Sequence, residues 1–128
     1  MTADEISLTL PADAAFHRVA HLVLGGLAVR LDLTFENLED LELALDALLE
    51  RSGDGDVTLR VRVIDGELQT IVGPFVSVRA ELERHDEDSL DLSRILETVC
   101  DGIEITEQDG SEWVALTKRI ERARSTPA

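Results

Sequence analysis

The sequence predicts an α/β fold of the α+β kind, a two-layer sandwich with a mostly antiparallel five-stranded sheet and about three helices on one face. Two Asp-Gly dipeptides, Asp65-Gly66 and Asp109-Gly110, each sit between runs in which apolar and polar residues alternate, the pattern of a strand-turn-strand hairpin. Three other segments repeat their apolar residues every three or four positions, as amphipathic helices do. One more alternating run opens the chain, and this order of elements favours helices gathered on one side of an antiparallel sheet.

In "EISLTL", Ile6, Leu8 and Leu10 alternate with Ser7 and Thr9, a strand with one buried face that Pro11 stops. From Asp13 to about Leu31, Phe16, Val19, Ala20, Val23, Leu27 and Leu31 recur at helical spacing, with Asp13 as the cap. Gly25-Gly26 is expected to weaken this helix or to admit a close neighbour. Thr34 then precedes "FENLEDLELALDALLER", a second helix with a hydroxyl cap, early acids Glu36 and Glu39, and Gly53 at its end. "DVTLRVRVIDGELQTIV" is the first hairpin, its second strand broken by "GPF" at Gly73 to Phe75. "RAELERHDEDSLD" has no strand period and reads as a charged, mobile or marginally helical connection. Leu92, Ile95, Leu96 and Val99 give a third helix from Leu90 to Asp101, with Gly102 as its left-handed cap. "IEITEQDGSEWVALTKRI" is the second hairpin, and residues 121–128 form a frayed tail.

A chain of 128 residues, 44% of them hydrophobic, can bury a core of its own, so residues 1–128 are expected to form one domain. Its 27 acidic and 12 basic residues leave a net charge of −15, which repels nucleic-acid backbones and anionic membranes; neither is an expected partner. Cys100, the single cysteine, has no partner for an intramolecular disulfide. The N-terminal segment lacks a basic n-region and no stretch has the length of a membrane span, so a cytoplasmic location is expected.

The stretches "LPADAAFHRVAHLVLGGLAVRLDLTFENLEDLELALDALLE" and "RILETVCDGIEITEQDGSEWVALTKRI", taken with their order and spacing, resemble the anti-sigma factor serine kinases of the histidine-kinase-type (GHKL) ATPase fold. The resemblance runs from about Glu5 to Ile120. It implies a regulatory setting: such proteins bind magnesium-ATP under a lid, hold a sigma factor, phosphorylate a serine on an anti-anti-sigma antagonist, and often pair as homodimers. The family's partner surface lies largely on its first helices, which directs attention to the exposed side of the 13–31 helix.

Three nucleotide motifs are expected of that family, and each can be sought here. A helical Glu that acts as base, one turn before a magnesium-binding Asn, falls on Ala47 and Arg51, a methyl and a permanent cation that can do neither job. An Asp-x-Gly that holds adenine falls on Pro74 and Val76. A Gly-x-Gly that cradles phosphates falls in "DEDSLDLSRIL", which has no glycine and carries Asp86, Glu87, Asp88 and Asp91. A slip of one residue would bring Asp46 and Glu50 to a metal instead, but it turns the helix by about 100° and its apolar face away from the core.

The expectation is therefore a degenerate, non-catalytic regulatory domain acting through protein contacts, with no catalytic residue, no metal and no cofactor. The protein partner implied is a sigma factor or an anti-anti-sigma antagonist. Two alternatives stand beside it: an active ATP- and magnesium-dependent serine/threonine kinase using Asp46 and Glu50, and a module of this fold with another ligand. Arg51 could pair with Asp46 or Glu50 and plug the vacated site. His17 and His21 have the spacing of two zinc ligands but no evident third, and ordinary helix histidines are the simpler reading. Cys100 lacks a basic neighbour that would activate it, and no serine lies in a recognisable nucleophile setting.

Overall fold

The computed structural model describes residues 5–11, 13–51, 55–83 and 92–119. Five strands, β1 (Glu5–Leu10), β2 (Val57–Ile64), β3 (Glu67–Phe75), β4 (Gly102–Gln108) and β5 (Ser111–Arg119), form one sheet in the order β1-β2-β3-β5-β4, antiparallel at every pairing. Four helices accompany it: α1 (His17–Leu31), α2 (Phe35–Leu49), the short α3 (Val78–Glu83) and α4 (Leu92–Val99). None is long and apolar enough to cross a membrane.

Alternation decides which face of the sheet the helices cover. Val57, Leu59 and Val61 of β2, Leu68 and Val72 of β3, and Val114 and Leu116 of β5 are buried, and they meet Ala20 and Leu24 of α1, Leu41, Leu45 and Leu48 of α2, and Leu92 and Leu96 of α4. The opposite face carries Ser7, Thr9, Arg60, Gln69, Trp113 and Thr117 in the alternate positions. Both Asp-Gly turns have the expected form. Asp65 and Gly66 lie at φ 51° and 78°, and Asp109 and Gly110 at 53° and 80°, the paired left-handed conformation whose twist matches the strands it joins.

Thr34 caps α2 as expected, its hydroxyl accepting the Asn37 amide at 3.1 Å. Other boundaries need correcting. Asp13 caps a single 3-10 turn (Ala14–Phe16) through the Ala15 amide, and α1 proper begins one residue later without a side-chain cap. Gly25-Gly26 interrupts nothing, and a Cβ on either glycine would meet open space, so no element approaches there. Helix α4, described from Leu92, ends at Val99 rather than at Asp101, and Leu90 and Asp91 lie outside the described residues. Gly102 is the first residue of β4, not a left-handed cap, because the Asp101 amide already bonds to Thr117 of β5 and draws the chain into the sheet.

The largest correction concerns "GPF". Strand β3 runs through Gly73 and Pro74 to Phe75, with its register against β5 shifting between Val72 and Phe75. Pro74 is tolerated because it sits in that irregularity, where no ladder amide is required. Gly73 lies under the Trp113 ring on the helix-free face; a Cβ there would come within 2.6 Å of Trp113 Cδ2. The "RAELE" stretch of the charged connection is helical, lying with Val78 in the six-residue α3. Gly53, the acidic run from Asp86 to Asp91, His85, Ser89 and the 121–128 tail lie outside the described residues.

Candidate functional site

Helix α2 carries the positions the resemblance singles out, and its packing sets their environment. Leu41, Ala44, Leu45, Ala47, Leu48 and Leu49 form its buried face, so the helix sits in the register its apolar residues demand. Ala47 is 6% exposed on that face. Arg51 follows one turn later and folds back on the helix: Nη1 donates to the Ala47 carbonyl at 2.8 Å and lies 3.3 Å from Glu50 Oε2. The guanidinium thus satisfies a carbonyl at the helix end, where a cation is also favoured by the helix dipole.

At the end of β3, Pro74 and Val76 are exposed, Val76 almost completely, while Phe75 between them and Val78 beyond are buried. Neither the Pro74 nor the Val76 side chain offers an acceptor to an adenine amino group. A magnesium nucleotide needs a carboxylate or amide for the metal, an acceptor for the base and a base for the hydroxyl. The side chains of Ala47, Arg51, Pro74 and Val76 supply none of these, so they do not fit the group.

Asp46 and Glu50, the alternative pair, are spoken for separately. Asp46 Oδ1 takes His21 Nε2 at 2.7 Å, and Glu50 pairs with Arg51. Among the described residues, no three His, Cys, Asp or Glu side chains converge on a point where a metal ion could sit. Of the Arg51 pairings expected, the one with Glu50 forms and the one with Asp46 does not, because Asp46 is turned toward α1.

What the sequence reading missed is the clamp on His21. Its Nδ1 lies 2.8 Å from Glu42 Oε2 and its Nε2 2.7 Å from Asp46 Oδ1, so one imidazole ties α1 to two successive turns of α2. The hydrogen bond to Asp46 raises its pKa above the usual histidine value, against the lowering effect of burial, and the negative charges of Asp46 and Glu42 add to the rise. The sequence signal was there in Glu42 and Asp46, one turn apart, but the facing histidine lies on another helix. His17, the other half of the supposed zinc pair, takes no part in the clamp.

A second missed group is Lys118. Its ammonium reaches from β5 to Asp40 Oδ2 of α2 at 3.0 Å and to the Val99 carbonyl of α4 at 2.7 Å, and the residue is 8% exposed. Cys100 lies nearby, where burial pushes its thiol up to about 11 in spite of the lowering influence of Lys118. It is therefore protonated at neutral pH and a poor nucleophile.

A five-stranded antiparallel sheet with its helices on one face is the architecture of the small histidine-kinase-type ATPase class. The chain superimposes on the crystal structure of the RsbU and RsbW domains of Rv1364c from Mycobacterium tuberculosis with a TM-score of 0.70, over 93% of this chain and 32% of that one, at 16% identity. No family model matches the chain. Among curated proteins it is 30% identical to serine-protein kinase RsbW of Listeria monocytogenes serotype 4a (strain HCC23), over 91% of this chain and 88% of the relative. It is 27% identical to serine-protein kinase RsbW of Bacillus pumilus (strain SAFR-032), over 96% and 90%. The chain belongs to the RsbW serine-protein kinase family.

Proposed function

We propose that the protein is a degenerate anti-sigma-factor-like domain that regulates transcription by holding a protein partner, a sigma factor or an anti-anti-sigma antagonist, without transferring phosphate. The observation that carries this reading is the pair Ala47 and Arg51, a buried methyl and a guanidinium folded onto its own helix, at the positions of the family's base and magnesium ligand. A sigma-factor partner would place the protein in the cytoplasm, and pairing of two chains is part of the same proposal.

Calorimetric titration of magnesium-ATP into the protein tests it. No heat is expected up to millimolar nucleotide. Micromolar affinity, about 8 kcal/mol of binding free energy, would overturn the reading. The same titration on an Ala47→Glu/Arg51→Asn double variant then measures how far these two positions alone exclude the nucleotide. For the partner, co-elution of the protein with a sigma factor on gel filtration is expected, and its failure counts against the anti-sigma assignment.

An active kinase is the second reading, and one observation favours it: the relatives across nearly the whole chain are named serine-protein kinases. It requires magnesium-dependent nucleotide binding, so the same titration separates the two.

A further inference from the structure

The C-terminal end of α1 leaves a gap above the outer strands of the sheet. Between it and β1 and β2 lies a partly enclosed cavity of about 420 Å³. Leu27 and Leu31 of α1, Ile6 of β1, and Val61 and Val63 of β2 give it an apolar lining. Leu27 and Val61 are buried, while Ile6 on the edge strand is 38% exposed, so the apolar wall runs from the core out to solvent. The volume lies in the range of about 300–1,000 Å³ in which proteins bind small molecules. None of Ala47, Arg51, Pro74 and Val76 lines it, so it is separate from the positions at which the family holds its nucleotide.

Three charged residues complete the lining: Arg30, Arg62 and Glu5. Two of them are already engaged. Glu5 Oε1 accepts from Arg60 Nε at 2.6 Å, and Arg62 Nε donates to Gln69 Oε1 at 2.9 Å. By alternation Glu5, Arg60 and Arg62 also belong to the helix-free face of the sheet, whereas Arg30 stands on α1, one turn after Leu27 and next to Leu31. Among the described residues Arg30 has no hydrogen-bond or ion-pair partner, and α1 contains no Asp or Glu. Asp32, the carboxylate nearest to it in sequence, does not line the cavity. We propose that this cavity binds a small monocarboxylate with an alkyl body of medium-chain length. Its hydrocarbon lies against Leu27, Val61 and Val63, and its carboxylate faces the Arg30 guanidinium. The apolar lining selects the body and Arg30 selects the sign of the head, while a cationic head would find its only lining carboxylate, Glu5, held by Arg60. The proposal goes beyond the partner-holding reading and does not depend on it.

The test is amide chemical-shift mapping at neutral pH with hexanoate, octanoate and decanoate, and with octan-1-ol as the uncharged control. The whole chain is used, so that residues 1–4, which precede Glu5, are present in the competition. Decanoate is expected to shift the amides around Leu27, Arg30, Val61 and Val63 saturably, with affinity rising by up to about fourfold for each methylene added along the series. Arg30→Gln, a change at an exposed position, is expected to weaken octanoate about tenfold and to leave octan-1-ol as in wild type. Ile6→Trp, which puts an indole at the mouth of the cavity, is expected to weaken both ligands. Shifts centred elsewhere, no saturation in the millimolar range, or affinity independent of chain length would overturn the proposal. So would an Arg30→Gln variant that binds octanoate as wild type does, or an Ile6→Trp variant that binds both ligands unchanged. A wild-type dimer that becomes a monomer in Ile6→Trp would overturn it as well, since a second copy would then cover the sheet edge at the cavity.

Discussion

His21 is a proton-dependent tie between two helices, and the sign of its effect follows from the direction of its shift. Its pKa in the folded protein is raised by Asp46 and Glu42, above the unfolded value near 6.5. The stabilisation is therefore complete below that unfolded value and is lost as pH rises through the folded pKa. A His21→Gln variant should have a lower urea midpoint than wild type at about pH 6, with the gap closing toward about pH 9. A gap that stayed constant with pH would mean that the imidazolium contributes nothing beyond shape. Thr70 offers a second single-residue test. Its hydroxyl is buried on the helix-facing side of β3 with no hydrogen-bond partner among the described residues, so Thr70→Val should be neutral or stabilising by up to about 1 kcal/mol in urea unfolding. A loss of stability would point to a partner for that hydroxyl.

Gly73 and Trp113 govern the element scale, where β3 and β5 meet. Because a Cβ at Gly73 would collide with ring atoms rather than with a flexible tip, Gly73→Ala must displace the indole or the strand. A loss of roughly 1–3 kcal/mol is expected from denaturant unfolding, and an unchanged midpoint would show that the ring can step aside freely. This strand also shows where sequence reading stops. Both Asp-Gly turns, the Thr34 cap and the alternation of β2 were legible because each depends on neighbours in the chain. Gly73-Pro74 was read as a stop because those residues usually break strands, whereas here a local irregularity removes the need for the missing amide and an aromatic ring on β5 needs the missing side chain. Helix α4 was drawn too long for a similar reason: Asp101 is claimed by Thr117, a residue on a strand not yet formed when the helix is read. In the candidate site, Ala47 and Arg51 could be found from register alone. The clamp on His21 and the reach of Lys118 to Asp40 join residues far apart in sequence; the first shows locally only as Glu42 and Asp46 one turn apart, and the second leaves no local trace.

Over the whole molecule, Lys118 connects three elements. Its ammonium stands where β5, α2 and the end of α4 converge, and both of its bonds are charge-assisted. Lys118→Met keeps most of the volume and removes the cation, leaving the Val99 carbonyl without this donor and Asp40 partly exposed to water. A loss of roughly 1–3 kcal/mol is expected, with α4 the first element to lose amide protection in hydrogen exchange. Stability equal to wild type would show that apolar packing alone fixes α4. The acidic surface is uneven on the same scale: α2 has no basic residue, while Arg60, Arg62 and Arg119 sit on the sheet.

Trp113 has one more consequence. The two hairpins, β2-β3 and β4-β5, each close over a two-residue turn, so their pairings are local and fast to form. The seam between β3 and β5 joins residues far apart in the chain, Val72 with Val114 among them, and is the slow, long-range step of assembly. The only tryptophan in the chain lies across that seam, over Gly73. Its fluorescence in a refolding experiment should therefore time the joining of the two hairpins, while far-ultraviolet dichroism follows their earlier formation.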